Sequence, residues 1–275
     1  MTIPILRLVD GYTMPQIGLG TATLNDDAVA PVIVSAIKAG YRHIDTAYRY
    51  GNQHGVGKGI RDSGIDRAEV FVTTKLDGDF QGSERAVAGL DECLRQLGLD
   101  YVDLLLIHWP LPQRDEYVST WKTFEKLVKS GKARSIGVSN FKPAHLDRLR
   151  AEATIQPVAN QIQLNPRITR PDHVAYDRAH DIVTVAWSPL GQGKGLLNEP
   201  TLATIATKYG KTPAQVVLRW NIDMGIATIP RSSNPERLAQ NLDIFDFALT
   251  TAEIATISAL DTGAEKRVDS DTMGH

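Results

Sequence analysis

The chain has little that would tie it to an oxidising compartment or a membrane. It contains a single cysteine, Cys93, which cannot form an internal disulfide and is compatible with a reducing environment. No apolar run approaches the roughly 18 residues that a membrane-spanning helix needs. The opening sequence MTIPILRLVDGYTMP lacks the basic start and apolar core of a secretory signal. We therefore expect a cytoplasmic protein with no membrane partner.

Charge of one sign is also missing. The chain has 30 lysines and arginines against 32 aspartates and glutamates, with a formal net charge of -2, so no basic excess indicates nucleic-acid binding. Its 275 residues are 42% hydrophobic, which suits a globular protein with a large core. No linker or low-complexity tract interrupts it, so we expect residues 1–275 to form a single domain. Cys93 falls within a helical pattern and is interpreted as a buried, inert thiol.

Eight short apolar runs recur along the chain, and nearly all of them stop at a polar residue able to do chemistry. The runs are Ile17–Thr21, Arg42–Ile44, Val70–Thr74, Val102–Ile107, Ser135–Val138, Val158–Asn160, Val183–Trp187 and Ile226–Pro230. Helical patterns fill the intervals, and this alternation is typical of a parallel sheet. Eight such strands predict an α/β fold of the (β/α)8 TIM-barrel type, whose chemistry lies at the strand carboxyl ends.

The predicted helices are bounded by caps, prolines and glycines. They are Asp26–Ala39, one after Gly51, Ser83–Leu97, Glu116–Lys129, one opening at Pro143, one opening at Pro171, Glu199–Tyr209, Pro213–Met224, Asn234–Asn241 and an extra C-terminal helix Thr250–Leu260. Residues 5–13 predict an N-terminal β-hairpin around Asp10-Gly11 that covers one end of the barrel. The tail Thr262–His275 is either a flap over the mouth or a frayed end.

Three ionisable residues follow three consecutive strands: Asp45, Lys75 and His108. Each alone has an ordinary structural explanation, but at one rim they lose water and must pair or shift their pKa values. Tyr48 and Tyr50 follow in the next loop. An ammonium beside a tyrosine favours the phenolate, which suits a general acid. The spacing alone does not choose between the two tyrosines.

Three segments resemble the sequence patterns of the aldo-keto reductases. These are GYRHIDTAYRYGNQHGVGKGI (Gly40–Ile60), LGLDYVDLLLIHWP (Leu97–Pro110) and IPRSSNPERLAQN (Ile229–Asn241). The similarity runs from about Met14 to Leu260, and it is strongest to the prokaryotic branch that includes 2,5-diketo-D-gluconate reductases. It implies NADPH-dependent reduction of small carbonyls, dicarbonyls or keto sugars, and a protein that is often a monomer.

The resemblance also implies the catalytic residues. They are the tetrad Asp45, Tyr50, Lys75 and His108, which favours Tyr50 over Tyr48 as the proton donor. In this interpretation Lys75, paired with Asp45, depresses the pKa of Tyr50, and His108 orients the substrate carbonyl.

The implied cofactor residues fall into groups along the mouth. The nicotinamide carboxamide is held at positions that match Ser139, Asn140 and Gln161, and the aromatic ring that stacks on the nicotinamide matches Trp187. The pyrophosphate-binding stretch matches Ser188 and Leu190. The 2′-phosphate site matches Arg231, Ser232 and Arg237, and an adenine contact matches Asn241. Independently of the family, two arginines and a serine near a helix start suit a phosphate dianion.

The chain departs from the family at several positions. Arg231 replaces the usual lysine, which keeps the charge and adds bidentate geometry. Gln240, Gln163 and Asn165 replace residues that are more common there, and no role is transferred to them. Ala22 stands where a bulky aromatic often lines the substrate pocket, so the sequence predicts a wider pocket with Trp109 as its main aromatic wall.

Three other functions fit parts of the pattern less well. His43 and Asp45 form a His-x-Asp pair as in some metal-dependent hydrolases, but no second histidine pair follows, so we expect no metal. A cofactor-binding sensor would not need the complete tetrad. An NAD-dependent dehydrogenase would leave Arg231 and Arg237 without a partner.

The glycine-rich segments Gly55–Gly59 and Gly191–Gly195 lack the full pattern of a phosphate-binding loop.

Overall fold

A computed structural model describes residues 3–275 and places eight parallel strands in one curled sheet. The strands are β3 (Leu19–Gly20), β4 (His43–Asp45), β5 (Phe71–Leu76), β6 (Val102–Ile107), β7 (Ala133–Ser139), β8 (Ala159–Gln163), β9 (Val183–Trp187) and β10 (Ala227–Thr228). Each strand pairs with the next one along the chain, which is the order of a (β/α)8 barrel.

The sheet closes where its last strand meets the first. Ile17 and Thr228 form a parallel bridge. The Gly18 amide donates to the Thr228 carbonyl at 2.9 Å, and the Thr228 amide donates to the Gln16 carbonyl at 2.9 Å. Among residues 3–275 these bonds join the last strand to the segment that leads into the first, and the predicted barrel is confirmed.

The barrel encloses a separate apolar core. Alternate strand residues face inward, and among them Leu104 and Leu106 of β6, Ala159 of β8 and Val185 of β9 form one buried cluster. His108 is two residues beyond Leu106 and continues the inward phase at the carboxyl end of β6. Alternation therefore brings polar residues to the top of the barrel while the layers below them stay apolar.

A hairpin closes the opposite end. Strands β1 (Ile5–Arg7) and β2 (Thr13–Pro15) pair antiparallel around the Asp10-Gly11 turn, as predicted. Leu8 and Met14 are buried in the same cluster as Leu104 and Leu106. The hairpin is thus an apolar plug for the amino-terminal end of the barrel.

Ten helices surround the sheet within the described residues. They are α1 (Asp26–Ala39), α2 (Gln53–Asp62), α3 (Ser83–Leu97), α4 (Tyr117–Lys129), α5 (Pro143–Glu152), α6 (Pro171–Ala179), α7 (Pro200–Tyr209), α8 (Pro213–Asp223), α9 (Pro235–Leu242) and α10 (Thr251–Ser258). The predicted positions are confirmed, with ends that differ by one or two residues because cap residues lie outside the hydrogen-bonded turns. None of these helices is long and apolar enough to cross a membrane.

The glycine-rich stretch after the Tyr48–Tyr50 loop has a packing role. It lies inside α2, where the Cβ of any other residue at Gly57 would stand 1.8 Å from the carbonyl oxygen of Leu97. A side chain there would separate α2 from the end of α3. Gly55–Gly59 thus belongs to the helix predicted after Gly51, in agreement with its lack of a full phosphate-loop pattern.

One carboxyl group is buried behind the sheet without a cation. Asp177 of α6 accepts hydrogen bonds from Thr184 at 2.8 Å and from the Asn160 amide at 3.3 Å. Burial raises the pKa of Asp177 from 3.8 to about 7, and these two bonds only partly oppose that rise. Between about pH 4 and pH 7, the folded chain therefore holds a proton on Asp177 that the unfolded chain has lost.

The pKa of Asp177 predicts how stability changes with pH. Its contribution is full below about pH 4 and declines as the pH rises towards about pH 7, because the folded state holds the extra proton in that window. Asparagine at position 177 stays neutral, so the free energy of unfolding of Asp177→Asn relative to that of the wild type should rise from about pH 5 to about pH 8. The expected rise is on the order of 2–4 kcal/mol. Urea unfolding at both pH values measures this. The exposed Asp181→Asn is the control, and an equal shift in both variants would contradict the prediction.

Candidate active site

A buried ion pair lies at the carboxyl end of β4 and β5. Lys75 is fully buried, and its Nζ lies 2.6 Å from Asp45 Oδ1, 2.9 Å from the Thr46 carbonyl oxygen and 3.2 Å from Tyr50 Oη. Parallel pairing places Asp45 beside Thr73, two residues before Lys75 on the same face of β5. A buried ammonium is tolerated only when it is paired and hydrogen-bonded, and this site meets both conditions.

The structure separates the two tyrosines that spacing left open. Both lie in the short 3₁₀ turn Tyr48–Tyr50. The Tyr50 hydroxyl is at Lys75, whereas the Tyr48 ring packs edge-on against Phe80, with centroids 4.9 Å apart. Tyr50 is therefore the tyrosine whose hydroxyl contacts the Lys75 ammonium, and Tyr48 packs against an apolar ring.

The pKa of Tyr50 corrects one expectation. Burial raises the pKa of the phenol above its ordinary value of 10.0, and the opposing effect of the Lys75 cation is smaller. The expected depression by Lys75 is right in sign, but the net shift is upward because desolvation penalises phenolate more than the cation favours it. The pKa of Lys75 is itself raised, since the favourable effects of Asp45 and Tyr50 exceed the cost of burial.

His108 is a buried neutral imidazole next to this group. Burial first, and then the Lys75 charge, hold its pKa well below 6.5. Its ring meets the Tyr50 ring edge-on, with centroids 5.9 Å apart. The Asn140 side-chain amide donates to the His108 carbonyl oxygen at 3.0 Å, which ties the ends of β6 and β7 together.

Gln161 reaches across the barrel to the ion pair. Its Nε2 donates to the second oxygen of Asp45 at 2.7 Å. This contact was not predicted from the sequence, where Gln161 was only a cofactor candidate. Because both Asp45 oxygens are engaged, the carboxylate has a fixed orientation toward Lys75.

The other cofactor candidates on β7 and β9 form a connected chain. The Ser139 hydroxyl donates to the Gln161 carbonyl oxygen at 2.8 Å, and the Trp187 indole donates to Asn140 Oδ1 at 3.0 Å. Asn140 and Ser188 both have positive φ, 63° and 52°, at the points where the chain leaves β7 and β9. These residues line one side of the mouth.

A second group lies between the end of β10 and the start of α9. The Arg231 guanidinium donates to the Thr23 hydroxyl at 2.7 Å. Asn234 caps α9 by accepting a hydrogen bond from the Arg237 backbone amide at 3.1 Å. The Arg237 side chain is exposed. Ser232 and Asn241 are largely buried, and the Asn241 amide lowers the pKa of Tyr41 against the larger effect of burial. Leu190 is half-buried in the loop after β9.

The remaining sides of the mouth are formed by loops and the tail. Ala22 is half-buried between Thr21, whose hydroxyl donates to the Asp45 carbonyl oxygen at 3.0 Å, and Thr23. Trp109 is half-buried on the far side, next to His108. The tail lies over the opening, where Asp269 pairs with Lys142 at 2.6 Å and the Gly78 amide donates to the His275 main-chain oxygen at 3.0 Å. This placement agrees with the flap of the predicted fold rather than with a frayed end.

Sequence reasoning missed two residues that lie at the mouth. They are Asp77, which follows the end of β5, and His275. The rule that polar residues follow strands could have found Asp77, but no local signal placed His275. Across residues 3–275, no three His, Cys, Asp or Glu side chains are grouped as metal ligands would be.

Comparison with known proteins agrees with this geometry. Residues 16–262 match the model of the aldo/keto reductase family. The chain belongs to this family.

Its relatives span nearly the whole of this aldo-keto reductase. It is 46% identical over 272 residues to morphine 6-dehydrogenase of Pseudomonas putida, covering 94% of this chain and 92% of that protein. It is 44% identical to methylglyoxal reductase DkgA of Escherichia coli, covering 98% of both. A Gox0644 mutant solved in complex with NADPH has a TM-score of 0.95 at 41% identity and covers 100% of both chains. The predicted resemblance, including its prokaryotic branch, is confirmed.

The buried ion pair predicts a stability phenotype. Asp45→Asn leaves Lys75 charged and buried without a counterion, which should destabilise the protein by about 3–5 kcal/mol at neutral pH. Burial would then lower the pKa of Lys75 below its value in the unfolded chain. The loss of stability relative to the wild type should therefore shrink as the pH rises towards about pH 10, because the folded variant can release the Lys75 proton. Urea unfolding at neutral and alkaline pH measures both effects.

Asp103→Asn is the matched control, because Asp103 is a buried strand carboxylate paired with Arg67 at 2.7 Å and Arg134 at 3.0 Å. Both arginines reach solvent and do not lose their charge. An Asp45→Asn defect that did not change with pH would contradict the assignment to Lys75.

Proposed function

We propose that the protein reduces aldehydes and ketones to alcohols with NADPH, and that Tyr50 is the general acid. The observation that carries this proposal is the contact of the Tyr50 hydroxyl with Lys75, which Asp45 holds in place. The printed names of the relatives support the reaction class, since they include a methylglyoxal reductase and a morphine 6-dehydrogenase. NADPH would supply the hydride.

Proton transfer would run from the Tyr50 hydroxyl to the substrate oxygen. The raised pKa keeps the phenol protonated at neutral pH, so the proton is in place before the reaction. As the phenol loses its proton, the Lys75 ammonium at 3.2 Å stabilises the phenolate that forms. This interaction is stronger in the transition state than in the ground state, which is the condition for raising the rate.

His108 would provide a second hydrogen bond to the same oxygen. Its low pKa keeps the imidazole neutral, so one ring nitrogen can donate while the other carries no proton. The Nδ1 atom is buried without a hydrogen bond, and Nε2 is therefore the nitrogen that can reach the mouth. A neutral donor beside Lys75 also avoids adding a second buried cation.

The residues on β7, β8 and β9 fit a nicotinamide. Ser139, Asn140 and Gln161 would bind its carboxamide, and Trp187 would stack on its ring. The hydrogen bonds from Trp187 to Asn140 and from Gln161 to Asp45 support this, because they fix the donors beside the proton-transfer group. Ser188 and Leu190 follow β9 and would contact the pyrophosphate.

The arginines at α9 fit the 2′-phosphate that distinguishes NADPH from NADH. Arg231, Ser232 and Arg237 lie within four residues of Pro235, which begins α9, and the dipole of a helix favours an anion at this end. Asn241, on the next turns of α9, would contact the adenine.

The substrate would enter between Ala22 and Trp109. The small side chain of Ala22 leaves this side wide, which suits small carbonyls, dicarbonyls and keto sugars. We also propose that residues 1–275 act as one domain and as a monomer.

Replacing the proposed acid tests the mechanism directly. Tyr50→Phe should reduce kcat by at least about 100-fold, since general acid catalysis contributes at least that factor, while NADPH affinity stays near that of the wild type. Turnover of methylglyoxal and the quenching of tryptophan fluorescence by NADPH measure the two effects. Tyr48→Phe is the control, because its ring packs against Phe80 away from Lys75. Comparable losses in both variants would argue against Tyr50.

Cofactor preference tests the phosphate site. Arg231→Ala should raise the KM for NADPH roughly 10- to 100-fold, the range expected from a lost charge-assisted hydrogen bond, with little effect on NADH. Steady-state kinetics with the two cofactors provide the comparison within one variant. An equal rise in the KM values for NADPH and NADH would show that Arg231 does not bind the 2′-phosphate.

A further inference from the structure

Arg167 lies in a tight turn that follows β8. The amides of Asn165 and Ile168 each donate to the carbonyl oxygen of the other residue, at 3.0 and 2.8 Å, and the Arg167 amide donates to the Asn165 side chain at 2.9 Å. Ile168 is buried, so the turn is anchored in the core of the protein. The backbone of Arg167 therefore has a fixed position from which its side chain reaches three other segments.

The guanidinium of Arg167 joins these three segments. Its Nε donates to Glu199 Oε1 at 3.1 Å, immediately before α7. Its Nη1 donates to the Lys194 carbonyl oxygen at 3.0 Å and to Glu265 Oε1 at 3.3 Å, and its Nη2 lies 3.4 Å from the Gly195 carbonyl oxygen. The arginine side chain is 23% exposed, so water screens these contacts only in part.

The segment Gly191–Gly195, which we call the glycine loop, has few other anchors. Its backbone hydrogen bonds are local, between residues 188 and 198. A Cβ at Gly193 or Gly195 would meet no atom within 4 Å, so that side of the loop is not packed. Among residues 3–275, Arg167 is the one residue outside 188–199 that donates a hydrogen bond to the loop. The position of the loop therefore depends on this side chain.

The glycine loop lies against a residue proposed to contact the pyrophosphate of NADPH. The Gln192 side-chain amide donates to the Ser188 hydroxyl at 2.8 Å. One cavity is lined by Arg167, Ser188 and Glu265. A pyrophosphate that binds Ser188 must therefore contact the glycine loop or displace Gln192 from the hydroxyl.

Glu265 brings the tail into the same cluster. It binds Nη1, the guanidinium nitrogen that also holds the Lys194 carbonyl oxygen. A guanidinium is planar and its donors have fixed directions, so a shift of one partner changes the geometry of the others. Opening of the glycine loop and movement of this part of the tail are therefore linked through one rigid group.

We propose that Arg167 is a positioning residue that couples the glycine loop to the tail, so that the rate at which NADPH leaves depends on Glu265, a residue away from the proposed cofactor contacts. The loop has to open before a bound pyrophosphate can leave, and the Arg167 contacts break when it opens. This inference rests on the proposed function, because Ser188 contacts the cofactor only if the proposed NADPH site is right.

The rate of NADPH dissociation measures this restraint. It is followed by the loss of bound-NADPH fluorescence when the complex is mixed with excess NADP+. Arg167→Ala should raise the rate at least about tenfold, the effect expected when charge-assisted hydrogen bonds to the loop are lost. Arg167→Lys keeps the charge but not the fork of donors, and its rate should lie between those of Arg167→Ala and the wild type.

Arg67→Ala is the matched control. Arg67 is 20% exposed and also joins a carboxylate to a backbone carbonyl, with Asp103 at 2.7 Å and the Tyr101 carbonyl oxygen at 3.0 Å. These residues lie at the amino-terminal ends of β5 and β6, at the opposite end of the barrel from the mouth. The substitution should leave the rate of NADPH dissociation unchanged.

Glu265→Ala tests the coupling to the tail. It should raise the rate of NADPH dissociation about two- to fivefold, the range expected for a partly exposed ion pair. The double variant Arg167→Ala with Glu265→Ala should release NADPH no faster than Arg167→Ala alone, because Glu265 acts on the loop only through Arg167.

Amide hydrogen exchange without NADPH separates a restraint on the loop from a direct contact with the cofactor. Arg167→Ala should speed exchange across residues 191–198 in the cofactor-free protein, where opening of the loop sets the rate. Faster NADPH dissociation with unchanged exchange would show that Arg167 contacts the cofactor itself, and would overturn the proposal.

The remaining outcomes separate this inference from the proposed function. A wild-type rate of dissociation in Arg167→Ala, additive effects of the two substitutions, or an equal rise in Arg67→Ala would each overturn the inference while NADPH binding stays intact. Failure of the wild type to bind NADPH would instead overturn the proposed function itself.

Discussion

The ion pair between Asp45 and Lys75 is the interaction on which the rest of the site depends. An ammonium group inside a barrel would be too costly to bury alone, so its three oxygen partners must be placed accurately. Those partners come from the end of β4 and the turn that follows it, and Gln161 of β8 fixes the carboxylate from across the barrel. The pair is therefore a structural link between strands as well as the electrostatic centre of the mouth.

Burial and charge act in opposite directions on Tyr50 and in the same direction on His108. Desolvation raises the pKa of Tyr50 against the smaller effect of the Lys75 cation, whereas desolvation and that cation both lower the pKa of His108. The Tyr50 phenol and the His108 imidazole are therefore neutral, and the Lys75 ammonium beside them keeps its proton. A phenol whose ionised form would be stabilised by a cation, next to a neutral imidazole, fits the proposed protonation of a substrate oxygen.

The two ends of the barrel are closed by segments of opposite character. Leu8 and Met14 of the hairpin extend the apolar core through the amino-terminal end. The tail crosses the carboxyl end through ion pairs and hydrogen bonds that water and ligands can compete with. The permanent plug thus lies where nothing has to pass, and the polar cover lies where a cofactor and substrate would have to enter.

Local sequence determined the order and type of the elements. The apolar runs predicted that His108 follows the strand Val102–Ile107, and glycine and proline positions predicted helix ends such as Gly98 and Pro143. These signals are short in range, so the sequence carries them directly. Family patterns extended them to the site residues. They could not predict the net pKa of Tyr50, because desolvation depends on everything that packs around the phenol. Only the tertiary structure decided which tyrosine reaches Lys75 on physical grounds, that Gln161 contacts Asp45, and that His275 returns to Asp77. Those contacts join residues 25, 116 and 198 positions apart, and no local pattern encodes a distance of that kind.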